Sequence, residues 1–291
     1  MCGSVNRQIV PGVTVRILNK AVIALSMPIL LQEYFRPETG REYQIGFWAK
    51  LKLAMRMAAN RKRITTASHF LEHLMMATQV LKVPKAVEGC VVECGTFKGG
   101  SAANLSLVCA LCDRKLEIFD SFQGLPEPSA SDREHVLLSA QELHTYAEGA
   151  WKGTLEEVKG NVARCGKIEV CTFNVGYFEE TLPHFGKPCV LAFLDVDLID
   201  SLRTCLLNLW PRLQDGSNLF THEAPHREIA GAFFDEGWWQ TQLRCQAPGL
   251  VGAGCGIGLL PADGGFRSDL GFTVKTPLVQ KFRTNPQTGE Q

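Results

Sequence analysis

Residues 89–101 read Gly-Cys-Val-Val-Glu-Cys-Gly-Thr-Phe-Lys-Gly-Gly-Ser. The run from Gly89 to Glu93 is short, apolar and β-branched, the signature of a buried strand. It breaks at Gly95 and restarts at Gly99 as a nearly all-apolar stretch reaching Cys112, which predicts a helix buried on most sides. Glycines between a strand and a helix let the backbone turn tightly and approach a ligand closely. The helix start then offers free N–H groups to an anionic end. The spacing is neither the G-x-G-x-x-G dinucleotide fingerprint nor a P-loop, because no G-K-[ST] follows.

Outward from this turn the rhythm repeats. Strands are expected at Leu116 to Asp120, Ile168 to Phe173, Cys189 to Asp195 and Asn218 to Thr221. Helices are expected at Thr154 to Cys165, where Thr154 and Glu157 are spaced as a capping box, and at Ser201 to Trp210, stopped by Pro211. Two further strands are expected in the glycine-rich stretch from Pro248 to Gly271, with Gly252 to Gly258 as a turn. Strands alternating with helices imply right-handed βαβ units and a parallel sheet covered on both faces. The expectation is a three-layer α/β/α, Rossmann-like fold over residues 81–280. An N-terminal helical extension over 1–80 and a tail over 281–291 flank it. Within the extension, Ser68 to Leu81 reads as an amphipathic helix.

The chain has 291 residues, 45% hydrophobic and 21% charged, with 30 basic against 30 acidic side chains. That balance excludes wholesale disorder and argues against a dedicated nucleic-acid binder. Residues 1–80 are nevertheless basic, eleven Lys or Arg against four acids, densest from Lys50 to Arg63. A solvated helical face is the plain reading; an anion, nucleic-acid or membrane contact is the other. The eleven cysteines are odd in number and mostly sit in apolar runs, as expected of small core residues in a reducing compartment. Cys109 and Cys112 form a lone C-x-x-C inside a helical run, where packing is the default. The apolar run Ala21 to Leu31 is only eleven residues long and contains Pro28, against about 20 needed to span a bilayer. A cytoplasmic protein with no membrane contact is expected.

Open α/β sheets bind ligands at the carboxyl ends of their strands. Asp120 ends the second strand, where a carboxylate can accept both ribose hydroxyls of a nucleotide-like cofactor; a turn aspartate is the alternative. The fourth strand ends in Asp195-Val196-Asp197 and the fifth in Thr221-His222-Glu223. If these strands are neighbours, Asp195, His222 and Glu223 meet in one cleft as acid, base and candidate metal ligands. Asp200 as a helix cap and His222 as a satisfied loop histidine are the structural alternatives.

Together the blocks VVECGTFKGGS, FDSFQGLPEP, GTLEEVKGNVARCG, GYFEETLP and LDVDLIDS resemble the macrocin O-methyltransferase (TylF/MycF) family, over roughly residues 65–235. The resemblance implies a class I fold, S-adenosylmethionine as methyl donor, and O-methylation of a small hydroxylated acceptor such as a sugar, with Mg²⁺. By position, Glu93, Gly95 and Gly99 would line the methionine end, together with Thr96, Gly100 and Ser101. Asp120, with Ser121 beside it, would hold the ribose. Gly176, Tyr177 and Phe178 would lie by the adenine, and Thr66 and Ser68 would reach the methionine carboxylate. Asp195 matches the family's metal ligand and general base, and His144 lies near an active-site histidine. The first 80 residues would form a lid and a contact for self-association.

One block departs from the pattern. The family carries two acids after strand five where this chain has His222-Glu223. Mg²⁺ prefers oxygen ligands. The site would therefore hold a softer cation such as Mn²⁺, Fe²⁺ or Zn²⁺, or use His222 as a metal-free base, or have lost activity. Three readings follow: a small-molecule O-methyltransferase, a nucleic-acid methyltransferase using Lys50 to Arg63, or a non-catalytic cofactor binder. Trp238 and Trp239 would either wall the acceptor pocket or pack on the sheet, and packing is the expectation.

Overall fold

β1 (Cys90–Cys94) is the strand that the opening motif predicts, and it is buried along its whole length. The structure is a computed structural model that describes residues 28, 31–138, 142–252 and 268–275. Most of the Ala21 to Leu31 run, Cys2, Cys255, most of the Gly252 to Gly258 turn and the tail 281–291 lie outside the described residues.

In chain order the main elements are α1 (Phe47–Asn60), α2 (Phe70–Lys82), β1, α3 (Gly100–Leu111), β2 (Leu116–Asp120), β3 (Glu134–Leu137), β4 (Glu142–Thr145) and α4 (Leu155–Cys165), followed by β5 (Cys171–Val175), β6 (Cys189–Leu194), α5 (Ile199–Leu209), β7 (Leu213–Thr221), α6 (Arg227–Ala232) and β8 (Gly271–Val274). The sheet order is β5-β2-β1-β6-β7-β8. Every pair is parallel except β7 with β8. This is the Rossmann-like α/β architecture expected. From β1 the chain builds outward to β2 and β5, then crosses to β6 and β7. The switch point, and so the ligand crevice, lies between β1 and β6.

Strand alternation divides the core into two layers. Val91, Leu191, Phe193 and Phe220 face one layer, shared with Leu53 and Met57 of α1, Leu74 of α2, Leu105 of α3 and Val158 of α4. Val92, Cys94, Ala192, Leu194 and Leu219 face the other, shared with Leu202, Leu206 and Leu209 of α5 and with Trp239. Each fully buried side chain of this size contributes roughly 1.5–3 kcal/mol. The helices α1 and α2 thus belong to the same core as the sheet. Trp239 is fully buried and its indole N–H donates to the Ala232 carbonyl at 2.8 Å, so it packs as expected.

Several expectations are corrected. Ile168–Val170 is a 3-10 turn and the strand starts at Cys171, where its register with Leu116 of β2 begins. The fifth strand is longer than expected and runs through a register shift near Gly216, whose φ of +82° carries the irregularity. Most of the stretch from Pro248 to Gly271, where two strands are expected, lies outside the described residues; the described part holds β8 at Gly271–Val274 and a bridge from Val251 to Phe272. Only half of the Thr154 capping box forms: Thr154 Oγ1 accepts the Glu157 N–H, while the Glu157 carboxylate pairs with Lys98. The β3–β4 hairpin was not legible at all, because the segment is short, polar and turn-rich. Tertiary bonds hold it, Leu138 N–H to the Pro225 carbonyl at 2.8 Å and Val136 N–H to Glu228 at 2.8 Å.

The basic stretch is not uniformly solvated. Lys50 is buried, its Nζ donating to the Arg36 carbonyl at 2.6 Å, while Lys52, Arg56, Arg61, Lys62 and Arg63 are exposed. All nine described cysteines are free thiols. Cys109 and Cys112 are both buried free thiols, and burial raises the pKa of each, Cys112 to about 12, in keeping with packing. Among the described residues no helix is long and apolar enough to cross a membrane.

Candidate active site

The crevice is organised by one close approach. Gly95 follows β1 with φ +79°, and a Cβ on it would overlap the main-chain carbonyl of Asp195. Asp195 N–H in turn donates to the Cys94 carbonyl at 2.9 Å. The ends of β1 and β6 are therefore in backbone contact, and only glycine fits. Above them opens a cavity of about 350 Å³.

Of the residues expected at the site, Gly95, Asp120, Ser121, His144, Tyr177, Phe178, Asp195, His222 and Glu223 line this cavity. Asp120 is half-buried, with Oδ2 accepting the Thr96 N–H at 2.8 Å and Oδ1 the Phe122 N–H at 2.6 Å. Each oxygen keeps a lone pair for a further donor. Burial raises the Asp120 pKa above the ordinary carboxylate value, against these N–H groups.

The others stand behind the wall. Glu93 shares the strand face of Val91, so alternation turns it under α3, where it accepts the Ser101 hydroxyl. Burial pushes its carboxyl up to about 8, and its Oε2 has no partner. Thr96 acts through its backbone N–H, and Gly99 is the left-handed N-cap of α3. Gly100 is packed so close to Thr66 that a Cβ would lie 2.7 Å from the Thr66 Cβ. Gly176 serves the turn after β5, donating to the Asp120 carbonyl at 3.1 Å. Thr66 and Ser68 bond to each other at 3.1 Å, and Ser68 continues to His73 at 2.7 Å; of this stretch it is Ala67 that lines the cavity.

The charged centre forms where β6 and β7 end side by side. Asp195, His222 and Glu223 each offer one ligand atom, all within 4.8 Å of one another. His222 Nδ1 faces Asp195 Oδ1 at 3.5 Å, and Nε2 faces Glu72 Oε2 at 3.4 Å. Burial works against charge on His222, but the two carboxylates outweigh it and raise its pKa well above the ordinary value. Burial also opposes charge on Asp195, and His222 offsets it, holding that carboxyl low. Burial and the Asp195 charge drive Glu223 well above the usual range. Its Oε2 accepts the Thr221 hydroxyl at 3.1 Å, and its buried Oε1 has no partner.

Sequence reading missed Glu72, Tyr146 and His226. Glu72 occupies the third position of a capping box on α2, which gave it a sufficient local explanation. Tyr146 and His226 line the cavity together with His144, Tyr146 OH meeting His226 Nδ1 at 2.9 Å. The spacing of His226 four residues after His222 was the available signal. Asp197 also lines the cavity, held at φ +61°, which aspartate tolerates better than most residues. Asp200 is not a side-chain cap: Asp132, remote in sequence, accepts the N–H groups of Ile199 at 2.6 Å and Asp200 at 3.2 Å.

A switch point closed by a glycine turn, with a carboxylate at the next strand end, defines a Rossmann-like α/β protein of the class I methyltransferase type. The chain belongs to the macrocin-O-methyltransferase (TylF) family, whose model matches residues 52–224. It is 35% identical over 136 residues to the 8-demethyl-8-(2,3-dimethoxy-alpha-L-rhamnosyl)-tetracenomycin-C 4'-O-methyltransferase of Streptomyces olivaceus, covering 45% of this chain and 51% of that protein. It is 29% identical over 162 residues to the mycinamicin III 3''-O-methyltransferase of Micromonospora griseorubida, covering 53% and 59%. The chain thus spans about half the length of the curated relatives it matches. The solved structure of the O-methyltransferase NovP matches at 18% identity with a TM-score of 0.49, covering 89% of this chain and 99% of that one.

Proposed function

We propose that this protein transfers the methyl group of S-adenosylmethionine to a hydroxyl of a small molecule, a sugar or a glycosylated metabolite. The observation that carries this reading is the meeting of Asp195, His222 and Glu223 in the same cavity as Gly95 and Asp120. Asp120 accepts the ribose hydroxyls, Tyr177 and Phe178 flank the adenine, and the turn at Gly95 leaves room for the sulfonium end. The acceptor enters between the β3–β4 hairpin and the strand ends, against His144, Tyr146 and His226.

The residues fit a divalent cation. The partnerless Oε1 of Glu223 is a buried acceptor next to a second carboxylate, and His222 offers a nitrogen. Asp195, His222 and Glu223 would hold it, with the imidazole favouring Mn²⁺, Fe²⁺ or Zn²⁺ over Mg²⁺. When bound, such a cation would lower the pKa of an acceptor hydroxyl. Asp195 takes that proton in this reading, and the rest of the catalysis is positioning for in-line displacement at the methyl carbon. His222 is not the free base its type suggests, because Glu72 and Asp195 both favour its protonated form and it already holds the proton. Exposed Phe47, Trp48 and Met55 on α1 support self-association through the N-terminal helices.

The test is calorimetry with S-adenosylmethionine and S-adenosylhomocysteine, first in EDTA and then with Mg²⁺ or Mn²⁺. Binding followed by methyl transfer to a hydroxylated glycoside is the expected outcome. No binding under any of these conditions overturns the reading.

A further inference from the structure

Glu72 reaches the site from α2, not from a strand end. It is 2% exposed and its carboxylate is surrounded. Oε2 accepts the His69 N–H at 2.6 Å. Oε1 accepts the Ser268 hydroxyl at 2.8 Å and the Asp269 N–H at 3.1 Å. The same Oε2 faces His222 Nε2 at 3.4 Å, while His222 Nδ1 is turned to Asp195. A capping glutamate needs only the first of these contacts and sits comfortably at the surface. This one is buried, tied to two distant segments, and aimed at an imidazole.

We propose that Glu72 is the positioning residue of His222, holding its Nε2–H so that Nδ1 faces Asp195 and Glu223 as the nitrogen ligand for a divalent cation. The proposal rests on the metal-assisted reading above. A cation that enters displaces the proton His222 carries on Nδ1, and the carboxylate at Nε2 keeps the remaining N–H there and fixes the ring. Glu72 also adds a negative charge just outside the ligand set, which strengthens the imidazole as a donor. The buried Oε1 of Glu223 has no hydrogen-bond partner and is a second, independent acceptor beside the ring. The arrangement makes the cation site depend on three separate parts of the chain: the strand ends, α2, and the segment at Ser268.

The test compares the full chain with Glu72→Gln and Glu72→Asp. The Mn²⁺ dissociation constant is read by electron paramagnetic resonance of free Mn²⁺. S-adenosylhomocysteine binding, read by calorimetry, reports on the fold. The ¹⁵N spectrum of the His222 ring reports its tautomer in the metal-free and Zn²⁺-loaded protein. Glu72→Gln keeps the size and an acceptor for the His69 N–H but removes the charge. The expected result is a Mn²⁺ constant weakened roughly 10–100-fold, with cofactor binding within about twofold of the parent. The Nε2–H tautomer signature of the Zn²⁺-loaded parent should be weakened with it. Unchanged Mn²⁺ affinity and an unchanged ring spectrum overturn the proposal. If Glu72→Gln fails to fold, Glu72→Asp decides, because it keeps the charge but withdraws it by one methylene; wild-type affinity there overturns the proposal too. A parent that binds S-adenosylhomocysteine but neither Mn²⁺ nor Zn²⁺ overturns both the proposal and the metal-assisted reading. A parent that binds no cofactor overturns the methyltransferase reading itself.

Discussion

Gly95 and Asp195 meet backbone to backbone at the switch point, so closely that the glycine has no room for a side chain and sits at φ +79°. The cofactor crevice and the carboxylate proposed to do chemistry are joined there. Gly95→Ala is expected to cost about 3 kcal/mol, from the left-handed backbone penalty together with the forced separation of β1 and β6. Denaturant unfolding measures the loss, and S-adenosylmethionine binding should fall with it. A fully stable Gly95→Ala protein would contradict the contact.

Asp120 combines two roles. It organises the Thr96 and Phe122 N–H groups and faces the cavity. Asp120→Asn removes the charge and one acceptor, since the amide offers a single carbonyl oxygen. Cofactor affinity is expected to drop by roughly 1.5–3 kcal/mol, the value of hydrogen bonds to a charged group. Calorimetry checks this; an unchanged dissociation constant would remove Asp120 from the ribose site.

Glu93 gives a pH dependence of definite sign. Its pKa is raised by burial from the ordinary carboxylate value to about 8 in the folded chain. Between the two values the folded state holds a proton that the unfolded state has released. Stability is therefore full below about pH 4.5 and declines as pH rises toward 8, by a few kcal/mol at most from this group. Glu93→Gln keeps an acceptor for the Ser101 hydroxyl without the titration, so its stability curve should be flatter across that range. Unfolding titrations of the cofactor-free protein from pH 5 to 8 distinguish parallel curves, which would refute this, from converging ones.

Asp132 is fully buried, accepts both leading N–H groups of α5 and pairs with His135 at 3.0 Å. Asp132→Ala leaves those donors and a buried histidine without an acceptor. A loss of about 2–4 kcal/mol is expected. Because α5 follows directly on the Asp195–Asp197 turn, activity toward the acceptor should weaken more than cofactor binding. Equal weakening of both would argue that Asp132 acts on the fold alone.

Trp48 is 77% exposed on α1, beside exposed Phe47 and Met55. If these residues bury against a second copy, Trp48→Glu should shift the sedimentation coefficient toward the monomer without changing the thermal midpoint of the monomer. A parent chain that is already monomeric at high concentration would exclude that role.

The strands β1, β2 and β6, the helices α3 and α5 and the turn at Gly95 were legible because their signals are local: apolar runs of strand length, helical periodicity and obligate glycines. Asp120, Asp195, His222 and Glu223 were legible because in a parallel sheet the residue after a strand end has a predictable place. Glu93 does not line the cavity, for a reason equally local in origin. Its position in the motif suggested the cofactor, while strand alternation turns it under α3. Thr66 and Ser68 were close, but the chain presents Ala67 to the cavity instead.

By itself, the sequence determined β1, β2 and β6, the helices α3 to α5 and the turn at Gly95, and that carboxylates and a histidine gather at the ends of β6 and β7. Periodicity and backbone sterics act over a few residues, so they can be read from a few residues. Only the tertiary structure decided that Glu72 of α2, held by Ser268, faces His222, that Asp132 caps α5, and that the β3–β4 hairpin carries His144 and Tyr146 to the cavity wall. Those contacts join segments far apart in the chain. Nothing local marks them, because burial and hydrogen-bond satisfaction choose such partners only once the chain has closed on itself.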